Sequence, residues 1–305
     1  MAEIPRVFRD SPQFVSEALS AAAGRPIVVK ADTVNPIGCF KGRGTWLAVS
    51  HLAGDGAVGE SRGLVVASAG NFGQGVAYAA RALGVPLVVF SSRAANVGKV
   101  EAMRRLGAEV RLAGEDFDAA RTAAAAYAED SGWLLLVDGQ DPWVAIGAGT
   151  MAVEITDAVE HGHLPPLAAM LVPVGNGALI GGIGAWLKVA SPATRVIGVQ
   201  AEQAPAMTLS WRQGHPVETE TADTVADGIA TRVPVPQALD VMAGIVDEMV
   251  LVSERAILDA QVELSAALPL AIEPSAAAGW AAAREIQAPD GALGLILTGG
   301  NLPPA

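Results

Sequence analysis

The sequence predicts an α/β protein with a parallel sheet and helices covering both faces. Three observations carry this. Strand-length runs of Val, Leu and Ile recur on consecutive positions, Ala-rich helical stretches separate them, and glycine clusters follow several strands. Consecutive apolar positions suit strands buried on both faces, and parallel strands need crossover helices.

The elements follow in chain order. A strand at 26–30 (Val28 and Val29 within it) leads to a helix at 42–52, and the strand 63–67 to the Ala-rich helix 73–83. The strand 86–90, helix 97–106, strand 109–112, helix 116–129 and strand 133–137 continue the pattern. Gly84 and Gly107 close two of these helices, where a left-handed residue ends a helix cheaply. The second half reads as helix 147–159, strand 169–174, helix 179–189 and strands 195–199 and 248–252. Helices 254–267 and 275–286 and a final strand 293–297 complete it.

Length and composition bound the function. A chain of 305 residues has room for two domains or one large one. The single cysteine, Cys39, excludes a disulfide framework and a four-cysteine zinc site. A net charge of −12 argues against a broad nucleic-acid-binding surface. The mean hydropathy of +0.37 is positive. No apolar run reaches the roughly 18 residues of a spanning helix, so we expect no membrane partner. The first 13 residues carry Glu3, Arg6, Arg9 and Asp10 and lack the form of a leader. A reduced, cytoplasmic compartment is the expectation.

Four segments could carry chemistry. Lys41, between Phe40 and Gly42 just before a helix, sits where an ammonium can be desolvated to a nucleophilic amine; a surface lysine on a turn is the alternative. Ser68-Ala69-Gly70-Asn71-Phe72 follows a strand and exposes backbone N–H groups to a carboxylate or phosphate, or is an ordinary capped turn. Gly175-Asn176-Gly177-Ala178-Leu179 is the strongest phosphate signal, glycines opening a helix. With Gly181, and Glu202 roughly 20–25 residues on, it also approximates a dinucleotide fingerprint, which keeps a nicotinamide-dependent dehydrogenase open. Thr298-Gly299-Gly300-Asn301 ends the last strand.

Together with Asp227-Gly228 and Glu273-Pro274-Ser275, these segments resemble the fold type II pyridoxal-phosphate enzymes related to the tryptophan synthase β chain, most closely the serine/threonine dehydratases. The resemblance runs from about Ile27 to Asn301. It implies two open, twisted, mostly parallel sheets flanked by helices. Residues 1–49 and 143–305 would form a large cofactor-binding domain and residues 50–142 a smaller one closing over the site. It also implies pyridoxal 5'-phosphate as cofactor, a small amino-acid substrate and a homodimer.

By matching position, Lys41 would hold the cofactor aldehyde as a Schiff base and remove the substrate's α proton. Phe40 and Gly228 would flank the pyridine ring, Asn71 would meet its phenolic oxygen and Thr298 its nitrogen. Gly175, Asn176, Gly177, Ala178 and Leu179 would bind the phosphate; Ser68, Ala69, Gly70 and Asn71 would receive the substrate carboxylate. In the family, the cofactor phosphate helps protonate a departing hydroxyl. The implied reaction is α,β-elimination from a β-hydroxy amino acid to a 2-keto acid and ammonia. A β-replacement synthase is the alternative that keeps the cofactor.

Several positions depart from the family pattern. Phe72 stands where the dehydratase motif has histidine. Asp138-Gly139 stands where a His-Pro turn borders the substrate side chain, so we expect a substrate larger or more polar than threonine; a turn-capping Asp138 is the other reading. Ala69 replaces the serine of racemases, which argues against two-base racemisation. Residues 203–208 lack acidic ligands, and no metal is expected. The end of the chain just after Asn301 leads us to expect no regulatory domain. Cys39 reads as a small buried residue, and His161 and His163 as a solvated turn.

Overall fold

The computed structural model describes residues 1–287 and 290–302. The chain opens with β1 (Gln13–Val15), α1 (Glu17–Ala23), β2 (Ile27–Ala31) and α2 (Lys41–Gly54). Then come β3 (Leu64–Ala67), α3 (Asn71–Leu83), β4 (Leu87–Ser91), α4 (Val97–Arg105), β5 (Glu109–Leu112), α5 (Phe117–Ser131) and β6 (Leu134–Leu135). Next are α6 (Pro142–Glu160), β7 (Leu167–Pro173), α7 (Ala178–Ala190), β8 (Arg195–Ala201), α8 (Ala206–Gln213) and α9 (Pro236–Ala243). The last elements are β9 (Glu248–Val252), α10 (Glu254–Ala267), α11 (Pro274–Ala283) and β10 (Ala292–Leu297).

The strands form two sheets, one ordered β1-β2-β10-β7-β8-β9 and the other β5-β4-β3-β6. Every pairing is parallel except β1 with β2. The hydrophobic effect explains the layering. One face of the larger sheet packs under α10 and α11, where Trp280 is fully buried; the opposite face packs under α6, α7 and α9. The smaller sheet is covered by α2 and α3 on one side and α5 on the other. Among the described residues, no helix is long and apolar enough to cross a membrane.

Some elements differ from expectation for identifiable reasons. The expected strand 133–137 pairs over only Leu134–Leu135, at the sheet edge. β5 is also an edge strand, and its Glu109 and Leu112 are exposed rather than buried on both faces. α6 begins five residues before the expected start, because the Asp141 side chain accepts the Trp143 N–H and Pro142 supplies a preset φ. α1, α8 and α9 are short and β1 has three residues, too few for a periodic signal. The expected domain junction at 49/50 falls inside α2, and that at 142/143 in the first turn of α6.

Helices α2, α6 and α7 approach closely through glycines. A Cβ on Gly147 would collide with the Gly44 and Arg43 backbone, and one on Gly182 with the Ala145 carbonyl. Beside this contact lies a buried ionic cluster. Arg43 donates to Glu154 Oε1 at 2.6 Å and to Asp32 Oδ1 at 2.9 Å, and Lys30 donates to Glu154 Oε2. Burial favours a neutral Glu154; Arg43 and Lys30 overcome it and hold the carboxyl below its usual range. The cluster ties β2, α2 and α6 together two residues beyond Lys41.

Candidate active site

The parallel neighbours β2, β10 and β7 end on the same edge of the larger sheet, so their C-terminal loops converge. Those loops carry the Lys41 segment, Thr298-Gly299-Gly300-Asn301 and the 175–177 glycines. Backbone and side-chain bonds fix the first two together: Phe40 N–H donates to the Thr298 carbonyl (2.9 Å), and Gly300 N–H to the Gly38 carbonyl (2.9 Å). The Asn301 amide donates to the Ile37 carbonyl and to Asn71 Oδ1, at 2.9 and 2.8 Å. β3 of the smaller sheet contributes the 68–71 turn. There Ser68 Oγ accepts N–H bonds from Gly70 and Gly73, which makes it a cap for α3 as well as a cavity residue.

These loops enclose a cavity of about 250 Å³. Phe40, Lys41, Ser68, Ala69, Gly70, Asn71 and Phe72 line it, together with Asp138, Gly175, Asn176, Gly177, Ala178, Leu179, Gly228 and Thr298. Gly139 does not. Its φ of 91° turns the chain, and a Cβ there would press on the Asn176 carbonyl, so this glycine shapes the backbone and does not widen the pocket. A second cavity of about 520 Å³ adjoins the first and shares Phe117, Asp138, Asn176 and Thr231 with it.

Lys41 is the first residue of α2, where the helix dipole disfavours a cation. Its Nζ lies 2.6 Å from Asp138 Oδ2, 4.9 Å from the Phe40 ring centre and 5.6 Å from that of Phe72. Asp138 Oδ1 is buried with no hydrogen-bond partner among the described residues. Asp138 therefore does not cap a turn; its side chain faces Lys41, and Asp141 caps α6. Cys39 is fully buried, and desolvation pushes its thiol pKa up, away from reactivity.

The cavity suits pyridoxal phosphate. The N–H groups opening α7 have no carbonyl partner within the helix, so they are free for an anion. Gly177 opens the helix at φ 91°, and a Cβ on Gly175 would sit 2.8 Å from the Gly228 carbonyl, so side chains would fill this cradle. An amine (Lys41), an aromatic side chain (Phe40) and a buried hydroxyl (Thr298) share the same space.

The family described as pyridoxal-phosphate dependent enzyme matches residues 4–299. The chain belongs to this family. It is 36% identical over 288 residues to an L-threonine ammonia-lyase of Thermotoga maritima, covering 94% of this chain and 70% of that one. The structure of a threonine deaminase from T.th. superposes with a TM-score of 0.89 at 31% identity, covering 100% of this chain and 99% of the other. Threonine deaminase isoform 2 of Solanum lycopersicum gives 0.86 at 31% identity over 96% of this chain and 79% of that one. The pyridoxal-phosphate family's fold type II architecture is the one described above, and membership sets aside the nicotinamide-dependent reading of the glycine loop. Glu202, the would-be ribose partner, is exposed and lines neither cavity.

Sequence reasoning missed Lys99 in this cavity and gave Asp227, Glu273 and Ser275 no role. Lys99 lines the cavity, is 5% exposed, and reaches Asp227 Oδ2 at 2.6 Å and Glu273 Oε2 at 3.7 Å. Glu273 Oε1 accepts a bond from Asn71 (2.8 Å), and Ser275 Oγ accepts the Gly228 N–H (2.9 Å). Burial pushes the Glu273 carboxyl up to about 7, with Asp227 adding to the rise and Lys99 and Asn71 opposing it. The available signal for Lys99 was its place in the first turn of α4, a poor position for a cation.

Proposed function

We propose that the chain catalyses α,β-elimination from a β-hydroxy amino acid of serine/threonine type, releasing a 2-keto acid and ammonia. The observation that carries this is the convergence on one cavity of Lys41, the 68–71 turn and the 175–179 loop. The relatives' names support the substrate class. Bound pyridoxal phosphate supplies an electron sink for the substrate α carbon.

The chain's own residues do the rest. Backbone N–H groups of 175–179 would hold the phosphate, and Phe40, Gly228, Asn71 and Thr298 would hold the ring. Ser68, Ala69, Gly70 and Asn71 receive the substrate carboxylate, and Phe72 forms an apolar wall beside it. Lys41 would anchor the cofactor covalently, and its amine would take the α proton. A unit of residues 50–142 closes on a larger one of 1–49 and 143–305, excluding water from the cleft. We further propose a cytoplasmic homodimer.

The test is incubation of the purified protein and cofactor with a panel of β-hydroxy amino acids, measuring keto acid and ammonia. Equal release of both from at least one substrate is expected. Product that forms only when a thiol or indole is added would point to β-replacement and overturn the reading.

A further inference from the structure

A hydroxide is a poor leaving group, so elimination of a hydroxyl needs a proton delivered as the C–O bond breaks. Three carboxylates line the cofactor cavity: Asp138, Asp227 and Glu273. Asp227 is paired with Lys99, and Glu273 is bonded to Asn71 beside the same lysine. Only Asp138 touches the base. Its Oδ2 is 2.6 Å from Lys41 Nζ, and each side chain is 14% exposed. Its other oxygen is buried and has no partner, although a buried carboxylate oxygen ordinarily has one. Asp138 itself lines both the first cavity and the second, larger one beside it. The β carbon is one bond from the carbon that Lys41 deprotonates, so a group in contact with Lys41 is within reach of the β substituent.

We propose that Asp138, in place of the cofactor phosphate that the family resemblance implies, is a catalytic residue that carries the α proton from Lys41 to the departing β-hydroxyl, an assignment that rests on the elimination reading above. The α C–H bond breaks and its proton goes to the Lys41 amine. The ammonium hands it to the Asp138 carboxylate, which turns about its Cβ–Cγ bond and gives it to the hydroxyl. The C–O electron pair leaves with the oxygen as water, the C–H pair becomes the Cα–Cβ double bond, and Lys41 and Asp138 return to their starting charges. Gly139, at φ 91°, shapes the turn that presents this carboxylate.

The experiment compares wild-type holoenzyme with Asp138→Asn in deuterated water. It reads three quantities: exchange of the substrate α hydrogen by mass spectrometry, keto acid from the best β-hydroxy amino acid, and keto acid from β-chloroalanine, whose chloride leaves without a proton. The variant is expected to lose about 100-fold or more in hydroxyl elimination, the scale of general acid catalysis. Exchange and chloride elimination should stay within about threefold of wild type, as suits an acid acting after the α proton has moved. Equal losses in all three would overturn the proposal by showing that Asp138 only positions Lys41 or supports the fold. Unchanged hydroxyl elimination would overturn it too. A wild-type enzyme that exchanges the α hydrogen and processes β-chloroalanine but no hydroxy amino acid would overturn the substrate reading, and the proton-delivery role with it.

Discussion

Lys99 Nζ lies 2.6 Å from Asp227 Oδ2 and so joins α4, beside the smaller sheet, to the loop that precedes Gly228. The lysine is buried, and its stem passes against Gly70, the turn expected to receive a carboxylate. Lys99→Met removes the only cation from the Asp227–Glu273 pair among the cavity contacts described above. We expect KM for the amino acid to rise about tenfold or more, with kcat less affected, because closure and carboxylate binding both weaken. Steady-state kinetics check this; a fall in kcat with KM unchanged would contradict it.

The Glu273 carboxyl gives a signed pH dependence. Its folded pKa is pushed from 4.5 to about 7. Between those values the folded chain holds a proton that the unfolded chain has released. Stability is therefore fully present below pH 4.5, falls as pH rises toward 7, and is flat above, by on the order of 3 kcal/mol from this group. Denaturant titrations of the cofactor-free chain at pH 5 and 8 should show the difference, and Glu273→Gln should remove it.

The buried cluster behind the active-site lysine should be unforgiving. Glu154→Gln leaves the buried Lys30 with no ion-pair partner and the buried Arg43 with Asp32 alone. A loss of roughly 3–5 kcal/mol in unfolding free energy is expected, measured by urea denaturation.

The glycine cradle should govern cofactor affinity more than folding. Gly175→Ala places a methyl 2.8 Å from the Gly228 carbonyl at the edge of the phosphate site. We expect the cofactor Kd to rise at least about tenfold, on the rule that crowding an anion's backbone donors costs its hydrogen bonds. Absorbance titration of the apoprotein measures it.

Much of this fold was legible because parallel strands buried on both faces leave runs such as Val28–Val29 and Val65–Val66, and because Gly84 and Gly107 stop helices. β1 and the short helices α8 and α9 were not, since three to eight residues carry no resolvable period and their places depend on tertiary packing. Within the site, Lys41 and the 175–179 loop, both marked by neighbouring glycines in the sequence, come to line one cavity. The pairing of Lys41 with Asp138 could not be read from the sequence, since it joins residues 97 apart in sequence. Nor could the role of Gly139, whose positive φ shapes the turn where the sequence suggested pocket room.

On the proposed function, Lys41 carries the cofactor at the point where elimination occurs. Borohydride reduction of the holoenzyme, followed by peptide mapping, tests it most directly. We expect a pyridoxyl phosphate mass on the peptide containing Lys41, with none on Lys30 or Lys99 and activity lost in proportion. Labelling at another lysine, or full labelling of a Lys41→Ala chain, would contradict it.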